Sequence, residues 1–121
     1  STLIVTKKDD TVYTLATATT VVIWDPTLTG VPEGVADFKL LYLLSDQQVY
    51  LEAVGSKALT PSYSSIPIAA NIPLLLGANN TYINYTVASA DIYTGTLGVI
   101  NRLRIRNVSG STATIRRVLF T

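Results

Sequence analysis

Along this chain apolar and polar positions alternate with a period of two, and no stretch sustains the 3.6-residue period of a helix. Short runs rich in Val, Ile, Leu, Thr and Tyr are separated by clusters of Gly, Pro, Asn, Asp and Ser. Successive side chains of a strand point to opposite faces, so this pattern predicts half-buried strands joined by turns. Strands are expected over residues 3–6, 12–16, 20–24, 37–44, 49–54, 72–76, 82–87, 98–106 and 112–120. No linker, repeat or low-complexity stretch divides the chain. Residues 1–121 are therefore expected to form one all-β domain, a sandwich or barrel by its pattern, with an antiparallel β-sandwich the form expected.

The punctuation between the runs has its own chemistry. Asp9-Asp10 is expected to turn between the first two strands, and Asp25-Pro26 to end the strand that closes on Trp24. Residues 29–34 read as an exposed loop, and residues 55–71, with Pro61 and Pro67 among several serines, as a long surface excursion. Ser45-Asp46-Gln47-Gln48 and Ser109-Gly110-Ser111 are expected to close hairpins, and Asn79-Asn80 to lie between strands. Within the strands, alternation assigns faces. Val99, Leu103 and Ile105 share one side of their strand, and Arg102, Arg104 and Arg106 share the other. Residues 37–44 are apolar on both sides after Lys39, as for a central strand covered on both faces.

Composition changes this picture in three ways. Charged residues make up 14% of the chain, below the roughly 25% usual for soluble domains, so hydroxyl and apolar groups must occupy much of the surface. Such a surface favours association with neighbours. There is no Cys and no His, which removes disulfides, thiolate chemistry, the commonest general base and the commonest metal ligand. Charge is also segregated: residues 1–91 hold eight acids against four Lys, whereas residues 92–121 hold five Arg and no acid. Ser1 to Asp10 lacks a signal-peptide pattern, and no apolar run is long enough for a membrane-spanning helix.

The arginines are the sharpest candidate site. Arg102, Arg104 and Arg106 recur at roughly 7 Å along one strand face, and Arg116 and Arg117 follow on opposite faces of the last strand. Like charges in a row call for compensation. Three sources stay open: pairing within the fold to Asp37, Glu52 or Asp91, an acidic surface on a neighbouring protein, or phosphates. Nucleic acid is disfavoured, because net charge is only +1 and no aromatic residue interleaves the arginines. Tyr63, Tyr82, Tyr85 and Tyr93 could form a sugar-stacking platform, which keeps a carbohydrate-binding, lectin-like module as an alternative. Asp25, Glu33 and Asp37 are the nearest thing to a hydrolytic carboxylate cluster. No nucleophile elbow, phosphate loop or dinucleotide motif is present, so an enzyme is not expected, and neither a cofactor nor a metal.

Three runs then carry a resemblance: residues 40–52, from Leu40-Leu41-Tyr42-Leu43-Leu44 to Glu52; Ile72-Pro73-Leu74-Leu75-Leu76-Gly77; and residues 100–111, with the three alternating arginines and the Ser-Gly-Ser turn. From Phe38 onward the chain resembles the small β-structured virion proteins of tailed bacteriophages, nearest to the capsid decoration or cement type. That resemblance implies a jelly-roll-like sandwich without catalytic residues, located on the capsid exterior. It further implies a homo-oligomer, a trimer foremost, that binds the major capsid protein. A tail or head–tail connector component is the alternative within the same class. The protein-interface candidates are Arg102, Arg104, Arg106, Arg116 and Arg117.

Overall fold

The computed structural model describes residues 4–35, 38–55, 63–77, 83–84 and 100–121. Nine strands run in chain order: β1 Lys8–Leu15, β2 Thr19–Trp24, β3 Leu40–Ser45, β4 Val49–Gly55, β5 Tyr63–Ile68, β6 Leu74–Gly77, β7 Ile83–Asn84, β8 Ile100–Asn107 and β9 Ala113–Phe120. They form two antiparallel sheets, ordered β1-β9-β3-β6-β7 and β2-β8-β4-β5. No helix occurs among the described residues. The fold is a β-sandwich, as the alternation predicts. Its filling comes from the inward positions of both sheets, with Leu41, Leu43, Leu76 and Ile115 from one meeting Ile23, Leu51, Leu103 and Ile105 from the other. Each of these side chains is removed from water, which is the main favourable term holding the layers together.

Among the described strands, six of the eight successive connections cross between sheets; β4–β5 and β6–β7 stay within one. β8 lies between β2 and β4, and β9 lies between β1 and β3, so the β8–β9 pair is flanked along its length by β1–β2 on one side and β3–β4 on the other. The corners are pinned to one another. Asn107, fully buried, donates through Nδ2 to the carbonyls of Leu15 (2.9 Å) and Ser111 (2.8 Å), and its Oδ1 accepts from the Ser109 amide (2.9 Å). The Asp46 amide donates to the Thr114 carbonyl (3.2 Å), and the Thr114 amide donates back to Asp46 Oδ1 (2.8 Å). A buried amide side chain with all these bonds made costs little, and Asn107 ties the β1–β2 turn to the β8–β9 turn while Asp46 ties the β3–β4 turn to the start of β9.

Several expectations are corrected. Residues 4–7 form no regular strand. Asp9-Asp10 is not a turn: both residues lie inside β1, opposite Leu119 and Val118. The turns at 45–48 and 108–112 are not hairpins, because β3 and β4, like β8 and β9, belong to different sheets. The excursion at 55–71 contains β5, which pairs with β4 along its length. Its Pro67 is tolerated because β5 is an edge strand. β3 is central in its sheet, but only one of its faces is fully covered: Leu41 and Leu43 are buried while Leu40, Tyr42 and Leu44 are half-buried. The expectations for Asp37, Asn79-Asn80 and residues 85–87 lie outside the described residues.

Candidate interaction surface

The outer face of the four-stranded sheet is built by register. Arg104 stands opposite Glu52 and Arg106 opposite Tyr50 across the β8–β4 ladder. Both strands are interior to their sheet, so these side chains project from its stiffest part. Arg104 Nε donates to Glu52 Oε1 at 2.8 Å and Arg106 Nε donates to Glu52 Oε2 at 2.9 Å. The guanidinium of Arg106 also lies 5.4 Å from the centre of the Tyr50 ring, within cation–π range. Glu52 is buried beneath the two arginines, whose side chains remain 21% and 41% exposed. Arg102, two residues back on the same face, is half-buried, and its Nε has no hydrogen-bond partner. Among the described residues three arginines stand on this face, with Glu52 beneath two of them and Asp25 close enough to Arg102 to feel its charge.

Pairing to Glu52 was one of the three compensations open in the sequence, and here it accounts for part of the charge. The other two arginines go elsewhere. Arg116 forms a fork with Asp10, Nε to Oδ1 at 2.9 Å and Nη2 to Oδ2 at 2.5 Å, on the outside of the larger sheet. That hydrogen bond holds the Asp10 carboxyl below its ordinary pKa and raises that of Arg116.

Arg117 is no surface residue. Its side chain has no exposure and points between the sheets with Ile115 and Leu119. Nη2 donates to Asp9 Oδ1 at 2.8 Å and lies 3.6 Å from Glu33 Oε2. The Tyr13 ring sits 5.7 Å from the guanidinium, and the Tyr13 hydroxyl donates to Glu33 Oε2 at 2.6 Å. Burial first, and then the bond to Glu33, raises the Tyr13 hydroxyl well above its ordinary pKa. As an interface candidate Arg117 is therefore corrected: a group with no accessible area cannot meet a partner.

Glu33 reaches this cluster from the 25–35 loop. There the Asp25 amide donates to the Glu33 carbonyl at 3.0 Å, and a Cβ on Gly34 would stand 2.2 Å from the Leu28 carbonyl oxygen. Only glycine allows that approach. The loop read as exposed thus tucks its Glu33 end inward.

The remaining candidate chemistry is engaged in structure. Asp25 accepts from the Thr27 amide (2.9 Å) and hydroxyl (2.6 Å), which lowers its pKa, with a smaller contribution from Arg102. Trp24 is buried edge-to-face on Phe38 at 5.2 Å and donates its indole N–H to the Val35 carbonyl at 3.1 Å. An open cleft of about 360 Å³ between β5 and the start of β6 is lined by Gln48, Pro67, Ile72 and Pro73 among others, with no aromatic ring among the described lining residues. Among the described residues no three His, Cys, Asp or Glu side chains converge as metal ligands, and no helix is long and apolar enough to cross a membrane. Side chains of Tyr63, Tyr82, Tyr85 and Tyr93, and Asp37 as a whole, lie outside the described set.

What sequence reasoning missed is the partnership of Asp9 and Asp10. The signal was present: Asp9, Thr11, Tyr13 and Leu15 alternate with Lys8, Asp10, Val12 and Thr14 as one strand. Compared with protein-family models, curated proteins and solved structures, the chain matches none.

Proposed function

We propose that the protein is a non-enzymatic structural β-sandwich that decorates a bacteriophage capsid, binding an acidic patch of the major capsid protein. The observation that carries this reading is the arginine face of the four-stranded sheet. Glu52 orients Arg104 and Arg106 on interior strands, one carboxylate beneath two guanidinium groups. Preoriented guanidinium groups suit carboxylates, which accept paired N–H bonds in a fixed plane. Electrostatic matching then sets register and partner choice, and many copies on one shell turn modest contacts into stable attachment. The sheet orders, with β8–β9 wrapped between β1–β2 and β3–β4, support the jelly-roll-like form of the sandwich.

The test is co-sedimentation with capsids stripped of this protein, comparing the native chain with the double variant Arg102→Glu, Arg106→Glu. Binding of the native chain should weaken steeply with salt, and the folded double variant should not bind. Full occupancy by that variant would remove the arginine face from the account.

A further inference from the structure

Four described strands lie at sheet edges: β1 and β7 in the larger sheet, β2 and β5 in the smaller. An edge strand offers a row of unpaired main-chain donors and acceptors, and sheets commonly block such rows with charge, proline, shortness or a bulge. Three of these edges carry a block. β5 contains Pro67, which has no N–H to give. β7 is two residues long. β1 opens with Lys8, Asp9 and Asp10 in succession.

β2 differs from all three. Its sequence, Thr19-Thr20-Val21-Val22-Ile23-Trp24, has no charge, proline or glycine, and its first five residues are β-branched. Thr19 and Thr20 are exposed. Among the described residues, β2 over 19–22 is the edge without a block, and the other three edges carry one.

We infer that β2 pairs antiparallel with β2 of a second copy across a two-fold axis. Three features favour a second copy as the occupant. An antiparallel pair of identical strands related by a two-fold places each donor opposite an acceptor in both directions. An uncharged strand meets its own copy without repulsion. The joint also yields a continuous eight-stranded sheet, in which the two β8 arginine rows stand three strand spacings apart, about 14 Å. That exceeds the Debye length of roughly 8 Å at physiological ionic strength, so the rows tolerate each other while doubling the basic face. The pairing gives a dimer where the phage resemblance implies a trimer. It rests on the docking reading only for the use made of the doubled face.

The experiment is sedimentation velocity with hydrogen–deuterium exchange on the full chain across a wide concentration range, together with Thr19→Pro and Thr20→Pro. Successive strand amides point to opposite sides, so one proline removes a donor from the β8 ladder and the other removes one from the open edge. The melting temperature tells them apart, because only the ladder proline should lower it. The native chain should dimerise, with amides 19–22 gaining protection as concentration rises. The edge proline should fold normally and associate about tenfold more weakly or worse. A native chain that stays monomeric, amides 19–22 unprotected in the dimer, or a dimer broken by Val12→Lys on the opposite sheet yet untouched by either proline would overturn the inference. Loss of capsid binding in Arg102→Glu, Arg106→Glu with self-association intact separates the two readings: docking depends on the arginines and pairing does not.

Discussion

Two clusters of arginine and carboxylate are built in opposite proportion. On the four-stranded sheet one carboxylate, Glu52, serves two arginines. Between the sheets one arginine, Arg117, serves two carboxylates, Asp9 and Glu33. In each, the outnumbered group is the buried one: Glu52 has a side-chain exposure of 5% and Arg117 of 0%. The majority groups keep access to water. The reason is desolvation, since a charge taken out of water must be surrounded by opposite charge, whereas its partners can retain solvent on their outer sides. The excess charge therefore faces outward, positive on the sheet and negative at the rim. One cluster presents arginines on the outer face of a sheet and the other fastens the 25–35 loop to the sandwich.

If that contrast holds, substitutions at the two centres should differ in size and in salt response. Arg117→Ala should have the largest effect, about 3–5 kcal/mol of stability, because it strands two carboxylates beside an apolar interior. Urea unfolding followed by circular dichroism measures it, and a loss below about 1 kcal/mol would show that Arg117 fastens nothing. Glu52→Gln should cost about 2 kcal/mol, since two charge-assisted bonds are weakened and two cations are left adjacent. Salt should restore part of that loss by screening the arginines, while Arg117→Ala should recover little.

Tyr13→Phe should cost about 1–2 kcal/mol at neutral pH through the lost bond to Glu33. The hydroxyl pKa is raised on folding, so its contribution is complete below the unfolded value near 10 and is lost as pH rises through the folded value. The native chain and Tyr13→Phe should therefore converge in stability in strong alkali, as a pH series of unfolding curves would reveal. Arg116→Ala should have the smallest effect, with a melting temperature close to native, because its fork with Asp10 is solvent-exposed. The Asp10 pKa is lowered on folding, so whatever small difference exists is present above the ordinary carboxylate range and disappears as pH falls through the depressed value.

Much of the sandwich was legible because its signal is local. β8 reads directly from Arg102-Leu103-Arg104-Ile105-Arg106, with leucine and isoleucine buried and the arginines out. β5 was not legible, because Tyr63-Ser64-Ser65-Ile66-Pro67-Ile68 has the composition of a loop and becomes a strand only against β4. The turn assigned to Asp9-Asp10 failed for a related reason. Two adjacent aspartates favour a turn when nothing competes, but here Arg116 and Arg117, more than a hundred residues away, hold them in a strand. The Glu52 pairing was open to sequence reasoning because both strands were recognised and only their register was missing.

Taken alone, the sequence determined the all-β class, the two faces of β8, the absence of Cys and His, and the gathering of every arginine in the last 30 residues. Each of these follows from a residue and its near neighbours, or from composition. The tertiary structure decided which sheet each strand joins, which turns cross between layers, which carboxylate meets which arginine, and that of Arg116 and Arg117 one lies outside and the other inside. Strand pairing is non-local: the ladder that joins β1 to β9 closes across the whole chain, and alternation within either strand says nothing about its partner.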